Sequence, residues 1–192
     1  MTDPDRTART DVGHRLTTQA DALDQAMYNA VTNTPTPTID VAATWLTKAA
    51  NYSMLSITIA GVLATIGGSR GRHAALRGLT AVGTTSLVAN LVAKSLFPRD
   101  RPTRTTNPGR SARMPDSSSF PSGHAASAFA FAAGVTGDFP HLALPLYTLA
   151  TAVGYSRVHM GVHYPSDAMG GAVLGLAVGT VVRETTLRVA SR

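Results

Sequence analysis

Residues 49–69 read AANYSMLSITIAGVLATIGGS and contain no Asp, Glu, Lys or Arg. Three further stretches share this property: Gly78–Ala93, Phe139–Ser156 and Ala168–Val182. Each, extended by its flanks, approaches the roughly 20 residues a helix needs to cross a hydrocarbon core of about 30 Å. The stretches are only moderately apolar, being rich in Ala, Gly, Thr and Ser. Small residues of this kind let helices approach closely inside a membrane bundle. The competing reading is a soluble all-α protein with buried helices. The membrane reading explains why the charges cluster instead of spreading along helix faces, so an all-α integral membrane bundle is expected.

Working outward, the breaks define about five transmembrane helices. The first runs from about Val41 to Ile66 and is ended by Gly67-Gly68; the second covers about Ala74 to Phe97 and stops at Pro98. Residues 98–121 form a long loop rich in Pro and Arg. A third helix opens at Ser122 and runs to about Gly137, and a fourth spans about His141 to Val158. A fifth follows the Gly161–Pro165 loop and ends near Arg188. Ahead of these, residues 1–18 are polar and lack periodicity, which predicts disorder. From Thr18 to Thr32, Ala22, Leu23, Ala26, Met27, Ala30 and Val31 recur at helical spacing. That predicts a short amphipathic helix lying along the interface or capping the bundle.

Composition excludes several functions. The chain has no cysteine, so disulfides and thiolate metal sites are absent. Its net charge of +6 comes almost wholly from Arg, yet no basic run is interleaved with aromatics. Nucleic acid is therefore not an expected partner, whereas anionic lipid headgroups or a phosphate substrate fit. The first residues have no apolar core and no cleavable secretory signal is expected.

The polar residues that interrupt this apolar chain fall in three blocks: Lys94-x6-Arg101-Pro102, Pro121-Ser122-Gly123-His124, and Ser156-Arg157-x5-His163-x3-Asp167. Three fixed cations, two imidazoles and a carboxylate suit gripping a phosphate, attacking phosphorus and protonating the leaving oxygen. Ser122 is placed to cap the third helix, and Gly123 lets backbone approach a ligand. His163 and Asp167 are four apart, so a carboxylate can reach the imidazole and fix its tautomer. His159 is a weaker rival, because the position four residues on is itself His163. Charged groups in apolar segments are costly unless used. Arg104, Arg110 and Arg113 could meet a second phosphate or a headgroup. His14, His73 and His141 have no partners in sequence, and Trp45 and Tyr164 suit interface anchors.

Taken together and in this order, the blocks resemble the signature of the type 2 phosphatidic acid phosphatase family, which shares its core with vanadium-dependent haloperoxidases. The resemblance covers about residues 45–185, as a membrane-bound bacterial member. It implies a metal-independent phosphatase of lipid phosphates such as phosphatidic acid, phosphatidylglycerol phosphate or polyprenyl phosphates and diphosphates. It implies no cofactor. His163 would form a phosphohistidine, Asp167 would orient it, and His124 would protonate the leaving alkoxide and then activate water. Lys94, Arg101, Ser122, Gly123 and Arg157 would hold the phosphate. Residues 1–40 would form a polar tail and amphipathic helix, and 41–190 the transmembrane phosphatase domain. A soluble acid phosphatase or haloperoxidase, a lipid phosphotransferase and a non-catalytic lipid-binding protein are the alternatives. Arg70, Arg72 and Arg77 share one side with Arg183, Arg188 and Arg192, which the positive-inside tendency assigns to the cytoplasm. All three blocks then meet on the opposite, extracytoplasmic face of the cell membrane.

Overall fold

The computed structural model describes the backbone of residues 4–103 and 114–190, and the side chains of 17–103 and 114–189. Arg104, Arg110, Arg113 and Arg192 lie outside the described residues, as does the side chain of His14. The described chain is all helical: α1 (Pro4–Asn33), α2 (Pro37–Ala50), α3 (Met54–Ile66), α4 (Gly68–Leu87), a single turn α5 (Lys94–Leu96), α6 (Gly123–Thr136), α7 (Ala143–His159) and α8 (Pro165–Ala190). Three segments are long and apolar enough to cross a membrane: Pro37–Ile66, Gly68–Leu96 and Pro165–Val189. Large apolar side chains on their outer faces, among them Ile66, Leu91, Val173 and Val181, are exposed. A membrane protein needs such a face toward lipid.

α6 is the hub. At 14 residues it is about 21 Å long by its rise per residue, short for a spanning helix. It packs against α4, α7 and α8, and its Ala125, Ala126 and Ala130 through Thr136 are buried. A helix enclosed in this way need not match the hydrocarbon thickness itself. Close approach is possible because α8 brings Gly171, Gly175 and Gly179 to the contact, where a methyl at Gly175 would stand 2.2 Å from the Ala126 carbonyl oxygen. Phe131, Val135 and Leu146 complete the core with Ala60, Ala74 and Ala75. At the end of the bundle where α6 finishes, Arg77 pairs with Asp138 at 2.5 Å and donates to Thr186 at 2.7 Å. Arg70 lies 5.1 Å over the Phe139 ring at that same end.

The structure departs from the sequence expectations in three places. The Val41–Ile66 stretch is not one helix: Tyr52 and Ser53 adopt φ +52° and +57°, and the chain turns between α2 and α3. Left-handed backbone at two non-glycine residues is strained, and hydropathy is blind to it. Residues 1–18 are not irregular throughout, since α1 begins at Pro4. Pro is well suited to a first helical turn, and Ala, Arg and Gln propagate it. The face that α1 buries is also not the apolar one. Asp24, Tyr28 and Thr32 are buried, while Leu23 and Met27 are exposed.

Gly175→Ala should lower the unfolding midpoint of the detergent-solubilised protein by an amount corresponding to about 1–3 kcal/mol, the usual range for overpacking. An unchanged midpoint would refute the α6–α8 approach.

Candidate active site

The C-terminal ends of α4 and α7 and the N-terminal ends of α6 and α8 meet at one end of the bundle. A π-helical segment, Val88–Ala93, carries α4 into α5 and delivers Lys94. α7 stops at His159, and Gly161 at φ +71° turns the chain as helix-ending glycines do. That turn drops His163 into the interior, where it is 3% exposed.

The surroundings of His163 define its protonation. Nη1 of Arg101 lies 3.3 Å from Nε2. A guanidinium only donates, so Nε2 must carry the lone pair. Nδ1 then bears the proton and faces Asp167 Oδ2 at 3.6 Å, with Ser119 Oγ at 3.5 Å. The carboxylate is thus within ion-pair reach but beyond a hydrogen bond, looser than the i, i+4 spacing suggests. Ser119 donates to the same Oδ2 at 2.5 Å, and the Tyr164 amide donates to it at 2.8 Å. Burial is the main influence holding His163 down at about 4; Asp167 opposes it, and Arg101 and Arg157 reinforce it. Burial likewise lowers the Arg101 guanidinium from its usual range.

The cations converge. Lys94 Nζ donates to Ser117 Oγ at 3.0 Å, and Arg101 Nε donates to the Ser117 carbonyl at 2.9 Å. Arg157 is 2% exposed, and its Nε has no partner. Ser122 sits at the N-cap position of α6, but its hydroxyl makes no capping bond and is buried without a partner. Its amide instead donates to the Asp167 carbonyl at 2.9 Å, tying α6 to α8. Unpaired buried donors are costly, and an anion would satisfy both.

Lys94, Arg101, Gly123, His124 and His163 line one cavity of about 290 Å³. His124 also lines an adjoining cleft of about 720 Å³, together with Thr44, Lys48, Asn51, Asp116 and Arg157. Its Nε2 lies 3.0 Å from Asn51 Oδ1. The α2–α3 turn therefore brings an amide to the second imidazole. Six sequence-predicted residues border these two spaces; Ser122 and Asp167 stand behind them. Among the described residues no group of three His, Asp or Glu could hold a metal ion.

Three neighbours of the site escaped the sequence reading. Ser119 and Arg99 both reach Asp167, Arg99 through Nη1 at 3.0 Å, and Asn51 reaches His124. Arg99 had a visible signal, being a second Arg two residues before Arg101. Asn51 and Ser119 had none. His159 is removed from contention, since its Nε2 lies 2.6 Å from Asp40 Oδ1. Tyr164 is half-buried, its ring lying under the Arg99 guanidinium at 4.4 Å and edge-on to Tyr28 at 5.4 Å. Trp45 is 70% exposed.

Residues 74–189 match the sequence profile of the PAP2 superfamily. A decaprenylphosphoryl-5-phosphoribose phosphatase of Mycobacterium tuberculosis is 39% identical over 105 residues, 52% of this chain and 56% of that one. A lipid A 1-phosphatase of Rhizobium etli is 35% identical over 101 residues, 50% of this chain and 43% of that one. The chain thus spans about half the length of these relatives. The crystal structure of Aquifex aeolicus LpxE superposes with a TM-score of 0.68 at 24% identity, covering 84% of this chain and 95% of that one. The transmembrane PAP2-type phosphatidylglycerolphosphate phosphatase of Bacillus subtilis also gives 0.68, at 25% identity over 88% and 87% of the two chains.

Histidine-selective NMR in detergent should find His163 neutral at pH 6 and half protonated near pH 4. Because Arg101 lowers this value, Arg101→Gln should raise the midpoint. A midpoint near the ordinary 6.5 in the unmutated protein would refute the arrangement.

Proposed function

The chain belongs to the PAP2 superfamily, and on that premise we propose that it is a membrane phosphatase that removes the phosphate of a lipid phosphate through a phosphohistidine. The observation that carries this is the single cavity lined by both imidazoles, Lys94 and Arg101. Nε2 of His163, which carries the lone pair, attacks phosphorus, and the P–O bond to the lipid breaks. His124, at the wall between the cavity and the larger cleft, gives its proton to the leaving oxygen. It then takes a proton from water as that water attacks phosphorus, breaking the P–N bond and releasing phosphate. Lys94, Arg101 and Arg157, with Ser122 and the Gly123 amide, hold the equatorial oxygens and oppose the charge that builds on them. Asp167 stabilises the imidazole as it becomes positive.

The larger cleft supports a bulky leaving group on the His124 side, and the names of the relatives describe lipid-linked phosphates. Candidates are phosphatidic acid, phosphatidylglycerol phosphate and polyprenyl phosphates or diphosphates. We further place the protein in the cell membrane with the site outside, because Arg70, Arg72, Arg77 and Arg183 gather at the opposite end. The positive-inside tendency favours that end for the cytoplasm.

Phosphate release from a panel of these lipids by detergent-purified protein tests the activity. His163→Ala should reduce turnover on the order of 10⁴-fold or more. His124→Ala should cost about 10²–10⁴-fold, and less with a good leaving group such as p-nitrophenol. Turnover near that of the unmutated protein in either variant would remove that residue from the mechanism. Since the chain has no cysteine, single replacements report orientation. Thr103→Cys should react with an impermeant maleimide on intact cells, and Arg72→Cys only after lysis; the reverse pattern would invert the topology.

A further inference from the structure

The N-terminal helix α1 lies wholly outside the matched residues 74–189, yet it turns a polar stripe toward the site. We propose that Asp24 is a positioning residue for the reaction, acting through Arg99 to hold Asp167 against His163. This inference rests on the phosphatase reading above.

Asp24 is buried at 6% exposure. A buried carboxylate without partners would be expensive, and Asp24 accepts three hydrogen bonds. Its Oδ2 accepts from Arg99 Nη2 at 2.8 Å and from Ser166 Oγ at 2.6 Å. Its Oδ1 accepts from the Ser166 amide at 2.9 Å. That amide belongs to the first turn of α8, so Asp24 caps, from another element, the helix that carries Asp167. Arg99 completes the bridge: Nη1 donates to Ser166 Oγ at 2.6 Å and to Asp167 Oδ1 at 3.0 Å. Tyr164 stacks on the guanidinium and is held by Tyr28, itself 1% exposed. Arg99 thus has one carboxylate on each side, and both arms are fixed.

The consequence for chemistry follows from the loose 3.6 Å contact between Asp167 and His163. A carboxylate not locked by its own imidazole depends on its other donors for its place. Ser119 and the Tyr164 amide hold Oδ2, and among the described residues Arg99 is the charged group that holds Oδ1. Asp21, the other carboxylate near Arg99, is 3.4 Å away with its side chain 76% exposed, which makes it the natural control.

The test compares full-length Asp24→Asn, Arg99→Gln, the double variant and Asp21→Asn in detergent. Two readouts are followed: steady-state kinetics on the lipid phosphate turned over best, and histidine ¹⁵N NMR of the His163 tautomer. Asp24→Asn should lower kcat about 10- to 100-fold, the loss typical of removing a buried partner that orients a reacting group from one residue away. KM should change by less than about threefold. The double variant should be little worse than Arg99→Gln, since both act on one link. The Nδ1-protonated tautomer of His163 should be lost in part in both single variants and retained in Asp21→Asn. A folded Asp24→Asn protein with unchanged kcat and tautomer would overturn the proposal. If the unmutated protein hydrolyses none of the lipids, the phosphatase reading fails by itself, and an unchanged tautomer in Asp24→Asn still decides against the positioning role.

Discussion

A carboxylate with no exposure to solvent stays charged inside a helix bundle only when donors surround it, and Asp167 is so surrounded. Ser119, the Tyr164 amide and Arg99 supply hydrogen bonds, and His163 supplies a polar neighbour that can become positive. These groups come from the 98–121 loop and the turn between α7 and α8. The Asp167 carbonyl adds a fourth tie by accepting from the Ser122 amide at the head of α6. The carboxylate and the carbonyl of this one residue together tie all three sequence blocks to the same end of the bundle. Local geometry at Asp167 and the convergence of distant segments are one problem with one solution.

The opposite imbalance holds on the other side of His163. Lys94, Arg101 and Arg157 crowd together, and among the described residues no carboxylate bonds to any of them. Two groups there, Arg157 Nε and Ser122 Oγ, are buried without a partner. A folded protein keeps such a cluster only at a cost in stability, because like charges and unmet donors both oppose it. Functional sites are where that cost is tolerated. In the proposed reaction, an incoming phosphate would supply the negative charge and the acceptor oxygens that the cluster lacks, and that charge would grow in the transition state. Burial chiefly holds His163 neutral, and Arg101 and Arg157 of that cluster add to it. In the proposed mechanism, two of the cations that would hold the anion thus also help to keep the attacking imidazole neutral.

What the sequence made legible follows from how local each signal is. Charge-free stretches mark helices buried in lipid or protein, so the all-helical membrane bundle could be read from 49–69 and its counterparts. The eight predicted site residues come from short blocks with their own polar neighbours, and the structure brings six of them to the two adjoining spaces. Asn51 was not legible, since it lies inside a charge-free stretch and looks like one more residue of a span. Its own extended backbone (ψ 142°), followed by left-handed Tyr52 and Ser53, takes it out of the helix and sets it against His124. Asp24 was hidden by a different effect. Helical periodicity reports which face of α1 is apolar, and burial normally follows it. Here Arg99 and the open amides of α8 make the polar face the one that docks, leaving Leu23 and Met27 outward.

That inversion also explains how a small bundle can hold so polar a site at its rim. α6 is short and enclosed, and its Ala and Gly contacts bring α8 within backbone distance. Close packing leaves little room for side chains between the helices, so the polar groups must gather where the helices end. Helix ends supply open amides at α6 and α8 and a glycine turn after α7, and both suit an anion. The ends are also where water could enter and weaken every electrostatic interaction. α1 and α2 lie against the C-terminal end of α7, through Tyr28 near Gly161 and Asp40 on His159. They cover that rim, so the interactions of Asp167 and His163 operate away from bulk solvent.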